Sequence, residues 1–275
     1  MTRGWRNHEA AALRLRRRTD DYGGGPLPPL ICIMHKCNAL MPYRTQHTRP
    51  TMLAATHLQR RDARTGVTLL QSATLAVQAG DRIALTGPSG AGKSVLLRTL
   101  ALLDPFDDGQ VTWHGQAIGP RAVPAYRCHV AYVRQRPALL PGTVEDNLRL
   151  PYQLHVRRQS TGFDRDAAIA LLVGAERDAS FLDKNAADLS GGEAQIAALV
   201  RTLQTRPTVL LLDEPTAALD PASARAVEAL LQHWFVQAPE RHAWMWVTHD
   251  SAQAERIGRQ HWKMVAGQLD TGPER

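Results

Sequence analysis

The chain is 275 residues long and 44% apolar, so it can bury a substantial core as one large or two small domains, and a fibrous or wholly disordered protein is excluded. No apolar run reaches the roughly 20 residues that a membrane-spanning helix needs, and three cysteines, Cys32, Cys37 and Cys128, are too few for a disulfide framework. The net charge of +7 sits at one end: residues 1–50 hold nine Lys/Arg against three Asp/Glu, leaving 24 against 23 in the remainder, which excludes a general nucleic-acid surface there.

Residues 1–51 read as a basic, disordered extension. Arg14, Arg16, Arg17 and Arg18 cluster ahead of a Gly/Pro stretch, and no period of 2 or 3.6 persists. The basic run is followed by an Asp-Asp pair rather than an apolar core, so it does not read as an export signal. Cys32, His35 and Cys37 are spaced like soft metal ligands but lack a fourth, and coincidence is the simpler reading. Ordered patterning begins at Leu53, so translation from Met41 or Met52 is expected.

From Met52 the pattern suits short antiparallel strands over 52–58, 67–70 and 73–77, with a polar turn from Arg60 to Gly66. Arg82–Thr86 reads as a buried strand. It feeds Gly87-Pro88-Ser89-Gly90-Ala91-Gly92-Lys93-Ser94, the G-x-x-x-x-G-K-[ST] spacing of a phosphate-binding loop, and a helix is predicted from Ser94 to Leu103. Glycines let the backbone N–H groups curl around phosphate oxygens, and the helix N-terminus adds partial positive charge. Lys93 offers a point charge to the outer phosphates and Ser94 a hydroxyl to Mg²⁺.

Gly109–Gly115 reads as a hairpin and His129–Val133 as a strand leading to Gln135. Residues 136–190 are polar and charged around short helical stretches, 143–150 and 166–173, as in an inserted helical subdomain. Ser190 with Glu193 forms a capping box before the apolar pattern Ile196, Leu199, Val200 and Leu203, and Ser190, Gly191 and Gly192 also make a second phosphate-binding helix end. Buried parallel strands return at Val209–Leu212, ending in Asp213 and Glu214, and at Trp244–Val247, ending in Thr248 and His249. Ligands of open α/β sheets bind beyond the carboxyl ends of the strands, so the Gly87–Ser94 loop, Asp213, Glu214 and His249 are expected at one site. An acidic pair there suits phosphoryl chemistry, Asp213 anchoring Mg²⁺ and Glu214 orienting a water.

The ordered series of Gly87–Ser94, Gln135, Leu189–Glu193, Val209–Glu214, Ala218–Asp220 and Val247–His249 resembles the ATP-binding subunits of ATP-binding-cassette (ABC) transporters over roughly residues 52–268. The resemblance implies an α/β P-loop fold with a mixed or parallel sheet core, an antiparallel β subdomain and an inserted helical subdomain. The cassette would run from 52 to 270, with a short tail at 271–275. It implies ATP and Mg²⁺ held by residues 87–95, with Gln135 sensing the metal. Glu214 polarises the attacking water and His249 contacts the γ-phosphate. Ser190, Gly191 and Gly192 complete the site of an opposite subunit, and Asp220 lies at the seam of a two-fold homodimer. A separate polytopic membrane partner is implied, with this chain peripheral on the cytoplasmic face of the inner membrane.

Three positions depart from the family pattern. Val95 follows the Walker serine where a hydroxyl residue is usual, and Glu193 replaces a glutamine. No aromatic precedes Val67 to stack on adenine, where the chain reads Arg60-Arg61-Asp62-Ala63-Arg64. Either an arginine stacks instead or base selectivity is loose, and equal hydrolysis of GTP and ATP identifies the second. The segments Thr143–Gln153, Asn185–Gly192 and Leu203–Pro207 are similar to a small bacterial group of iron-export ATP-binding subunits. The competing reading is a soluble single-cassette ATPase of cofactor or cluster assembly, or of another non-transport role such as DNA or ribosome transactions, and a nucleotide kinase leaves Ser190 and His249 without a role.

Overall fold

The computed structural model describes residues 49–157 and 162–272. The readings made on residues 1–48, including the Cys32, His35 and Cys37 group and the Met41 start, lie outside the described residues, as does the end of the 271–275 tail.

The chain opens with β1 (Thr51–Arg61) and β2 (Thr68–Gln78), antiparallel to each other. The separate strands expected over 67–70 and 73–77 are one, and Arg60 and Arg61 belong to β1 rather than to the turn. The sequence pattern breaks because the pair is bulged: His57 and Ser72 take left-handed φ values of 52° and 54°, and the His57 ring nitrogen Nδ1 meets the Ser72 hydroxyl at 3.1 Å. The loop between them is closed by the Asp62 carboxylate, which accepts from the backbone N–H groups of Arg64 and Thr65.

β3 (Arg82–Thr86) leads through the phosphate loop into α1 (Lys93–Leu100), which is shorter than the predicted 94–103. β4 (Asp108–Trp113) and β5 (Gln116–Ala117) form a hairpin, and α2 (Val123–His129) leads into β6 (Val130–Val133). The region expected as a helical insertion holds α3 (Val144–Arg149), α4 (Arg165–Val173) and short 3-10 turns. There follow α5 (Gly191–Leu203), β7 (Val209–Asp213), α6 (Pro221–Val236), β8 (Ala243–Val247), α7 (Ser251–Ile257), β9 (Gln260–Val265) and β10 (Gln268–Asp270).

Helix starts follow local chemistry. Thr143 with Asp146 and Ser190 with Glu193 form capping boxes at α3 and α5, while Asp164, Asp220 and Asp250 accept from the first-turn N–H groups of α4, α6 and α7.

Two sheets result. One is antiparallel, in the order β2-β1-β4-β5; the other runs β10-β9-β3-β8-β7-β6, parallel from β9 to β6 with β10 antiparallel at its edge. Strand alternation divides the core. Ile83, Leu85, Val209, Leu211, Met245 and Val247 face α1 and the antiparallel sheet, whereas Ala84, Leu210, Leu212, Trp244 and Trp246 face α3 to α7. Burial on both faces explains why β7 and β8 read as continuous apolar runs. Truncating such a residue, Leu211→Ala for example, costs about 2–5 kcal/mol. The parallel strands thereby align their carboxyl ends along one edge, above which β3, β7 and β8 deliver their loops.

Candidate functional site

The phosphate loop is pinned from below. Gly87 has φ 142°, and a Cβ there would lie 2.0 Å from the Met264 carbonyl oxygen of β9, so only glycine lets the loop pass that close. Pro88, Ser89 and Gly90 are exposed at its tip, and the Ala91 N–H closes it by donating to the Pro88 carbonyl. Lys93 is buried at 5% exposure, its ammonium donating to the carbonyls of Gly87 at 2.7 Å and Pro88 at 2.9 Å. Burial pulls the Lys93 pKa below the usual lysine range, and the charges of Glu214 and Asp213 oppose that shift. Val95 packs against the core between the two sheets, so the residue after Ser94 serves packing.

Ser94 donates to Asp213 Oδ1 at 2.8 Å, joining the first turn of α1 to the end of β7. The other Asp213 oxygen accepts from the Tyr132 hydroxyl of β6, also at 2.8 Å. Burial first, and then the hydrogen bond to and the charge of Asp213, push the Tyr132 phenol above its ordinary pKa. Sequence reading missed Tyr132, because its meeting with Asp213 depends on β6 pairing with β7, 81 residues away.

Glu214 follows in the left-handed region, φ 49°, with its N–H donating to the Val247 carbonyl at 3.2 Å. A non-glycine residue held there is uncommon and clusters at functional sites. Its carboxylate meets His249 Nε2 on one oxygen and accepts from Gln135 Nε2 at 3.4 Å on the other. Lys93, Ser94, Tyr132, Gln135, Asp213, Glu214 and His249 thus gather from four segments at one sheet edge. A hydroxyl and carboxylates beside a buried ammonium form a donor set suited to a polyphosphate and a hard cation. Among the described residues there is no group of three or more His, Cys, Asp or Glu that could hold a metal by itself.

Ser190, Gly191, Gly192 and Asp220 form a second group. Glu193 N–H donates to Ser190 Oγ at 3.2 Å, the Ser190 N–H donates back to Glu193 Oε2 at 3.1 Å, and Lys184 pairs with Glu193 at 2.6 Å. Asp220 caps α6, accepting from Ala222 N–H, Ser223 N–H and the Ser223 hydroxyl. Gly192 lies against Ser223, so the two helix starts are packed together. Among the described residues no hydrogen bond or ion pair joins this group to the phosphate loop. Of the arginines expected near the base, Arg60 is paired with Asp104 at 2.5 Å and only 19% exposed, which removes it as a stacking surface.

A family model described as "ABC transporter" matches residues 70–217. The chain is 40% identical over 185 residues to the "Probable iron export ATP-binding protein FetA" of Escherichia coli, covering 66% of this chain and 78% of that one. It is 36% identical over 225 residues to the "Phosphate import ATP-binding protein PstB 2" of Natronomonas pharaonis, covering 76% of each. In fold it is similar to a dimeric structure of a post-hydrolysis state of the ATP-binding cassette MJ0796 bound to ADP and Pi. That match has a TM-score of 0.69 at 24% identity and covers 82% of this chain and all of that one. The phosphate loop under β9, the acids at the end of β7 and these likenesses converge: the chain belongs to the ABC transporter family, as an ATP-binding subunit that hydrolyses ATP.

Proposed function

We propose that this subunit energises transport through a separate polytopic membrane partner, acting as a head-to-tail homodimer, with iron export as its process. The observation that carries the reading is the division of the site: Ser94, Gln135, Asp213, Glu214 and His249 are tied together at the phosphate loop, while Ser190–Gly192 open elsewhere. A second copy supplying that helix end to the first copy's nucleotide closes two sites by symmetry. The likeness to a cassette solved as a dimer supports this arrangement.

In this reading the Gly87–Gly92 amides cradle the phosphates and Lys93 exchanges its loop carbonyls for the outer phosphate oxygens. The fit for Mg²⁺ is in the donor set, since the Ser94 hydroxyl and Asp213 carboxylate are hard oxygen ligands already 2.8 Å apart, with Gln135 held on the neighbouring Glu214. Bound there, Mg²⁺ would neutralise charge on the phosphates. Tyr132 holds the Asp213 carboxylate in place. Glu214 orients the attacking water and draws its proton, and His249 both fixes Glu214 and reaches the γ-phosphate. Asp220 stands at the seam between copies.

Among the described residues no helix is long and apolar enough to cross a membrane. A cleft of about 550 Å³ between β6 with α2 and the segment after α3 presents Leu103, Leu154 and Val156 exposed, beside Arg127 and Arg201. We assign the partner's docking segment to this cleft, at the border of the 136–190 subdomain, with the chain peripheral at the cytoplasmic membrane face. Iron export rests on the likeness to FetA and the segments 143–153, 185–192 and 203–207. The phosphate-import relative at similar identity makes substrate the point to test.

The test is mild-detergent purification of the tagged chain from its own membranes, with mass spectrometry of what accompanies it. A stoichiometric polytopic membrane protein is expected, and ATP-driven Fe²⁺ movement in vesicles of that complex follows. Recovery with soluble companions alone overturns the transport reading in favour of an assembly ATPase.

A further inference from the structure

Glu214 and His249 also line a cavity of about 750 Å³, and its wall carries a buried polar cluster that neither the phosphate loop nor the Ser190 group uses. At its centre is Gln253 of α7, 5% exposed. Its Oε1 accepts from the Thr248 hydroxyl at 2.7 Å, and its Nε2 donates to the Thr216 hydroxyl at 2.9 Å and to Glu228 Oε1 of α6 at 2.7 Å. The amide orientation is decided by chemistry, since an ionised carboxylate only accepts. Thr248 and Thr216 are themselves 4% and 8% exposed.

The partners are placed at consequential points. Thr248 precedes His249, and its hydroxyl also accepts from the Asp250 N–H at 3.1 Å. Thr216 is two residues beyond Glu214, inside a loop turned by Ala217 N–H on the Glu214 carbonyl and Leu219 N–H on the Thr216 carbonyl. The segments carrying His249 and Glu214 meet through their own side chains above and through one amide below. Glu228, clamped by Arg256 at 3.0 Å, fixes that amide to α6, the helix that Asp220 caps.

We infer that Gln253 is a positioning residue for hydrolysis: its amide locks the Thr248–His249 and Glu214–Asp220 segments in one geometry, tying the water-orienting pair to the α6 end at the dimer seam. The inference rests on the roles proposed above for Glu214 and His249. A buried amide with three partners is rigid, and loosening it displaces both groups without touching the phosphate loop. Displacements near 1 Å from such losses cost on the order of 100-fold in rate.

The experiment measures kcat and KM for ATP, nucleotide affinity and thermal melting for the full chain and four variants. Gln253→Met keeps the volume and removes the hydrogen bonds. Gln253→Glu sets a second carboxylate against Glu228. Gln253→Glu combined with Glu228→Gln restores one donor and one acceptor in exchanged positions. Glu214→Gln reports separately on the underlying roles. We expect Gln253→Met and Gln253→Glu to lower kcat at least tenfold with KM within twofold, and the exchanged pair to recover to within about threefold of the native rate. A Gln253→Met protein with native kcat, or an exchanged pair no better than Gln253→Glu alone, overturns the inference. The exchanged pair decides the matter if Gln253→Met does not fold. Retention of hydrolysis by Glu214→Gln instead overturns the assignment of Glu214.

Discussion

The packing of α5 against α6 gives a prediction whose size can be worked from distances. A Cβ on Gly192 would stand 2.3 Å from Ser223 Oγ and 2.6 Å from Ser223 Cβ, closer than any side chain tolerates. Ser223 cannot simply rotate, because its hydroxyl donates to Asp220 Oδ2 at 2.6 Å and its N–H to Oδ1 at 3.0 Å, and these bonds cap α6. Gly192→Ala therefore overpacks the contact, at about 1–3 kcal/mol, and disturbs a cap worth about 1 kcal/mol. The expected loss is about 2–4 kcal/mol, to be read by urea denaturation. Ser223→Gly removes the clashing atoms, at a helix-propensity cost of about 0.5–1 kcal/mol and about 0.5–1.5 kcal/mol for the lost hydroxyl bond to Asp220. In the double variant most of the Gly192→Ala loss should vanish, leaving a coupling energy of at least about 1.5 kcal/mol, within the range seen for residues in contact. Additive losses, or a Gly192→Ala protein as stable as the native one, would refute this account of why glycine stands at 192.

Glu214→Gln should bind ATP, nearly stop hydrolysis and accumulate a dimer with ATP and Mg²⁺; a monomer on a sizing column under those conditions counts against the shared site. Tyr132→Phe deletes a hydrogen bond to a buried carboxylate, worth about 1.5–3 kcal/mol. The variant should be less stable by that order and need more Mg²⁺ for half-maximal hydrolysis, and unchanged Mg²⁺ dependence would separate Tyr132 from the metal side. Lys184, and after it the Ser190 N–H, hold the Glu193 carboxyl below its ordinary value of 4.5. A depressed carboxyl gives stability that is full above its ordinary range and lost as pH falls through the lowered value. Glu193→Gln should therefore flatten the acid side of the stability profile below about pH 4.5, which melting temperatures taken from pH 3 to 7 will show.

Much of the site was legible in the sequence because its parts are local. Gly87 to Ser94 encode a strand, a turn and a helix start in one stretch, Ser190 with Glu193 encodes a capping box, and the apolar runs ending at Asp213 and Val247 announce doubly buried strands. Turn chemistry, capping and periodicity act within a few residues, so they survive without the fold. The bulges at His57 and Ser72 were not legible, nor was the continuity of β2, since cross-strand register rather than pattern decides them.

Only tertiary structure could bring Ser94 and Tyr132 to the two oxygens of Asp213, or set Gln253 between Thr216, Thr248 and Glu228. Those meetings follow from the order β9-β3-β8-β7-β6, in which strands far apart in sequence lie side by side. The sequence by itself determined which residues carry charge, hydroxyls and glycine flexibility. Strand order and the packing of α6 and α7 against the sheet decided which of them touch, because hydrogen-bond partners are chosen by three-dimensional distance, not by separation along the chain.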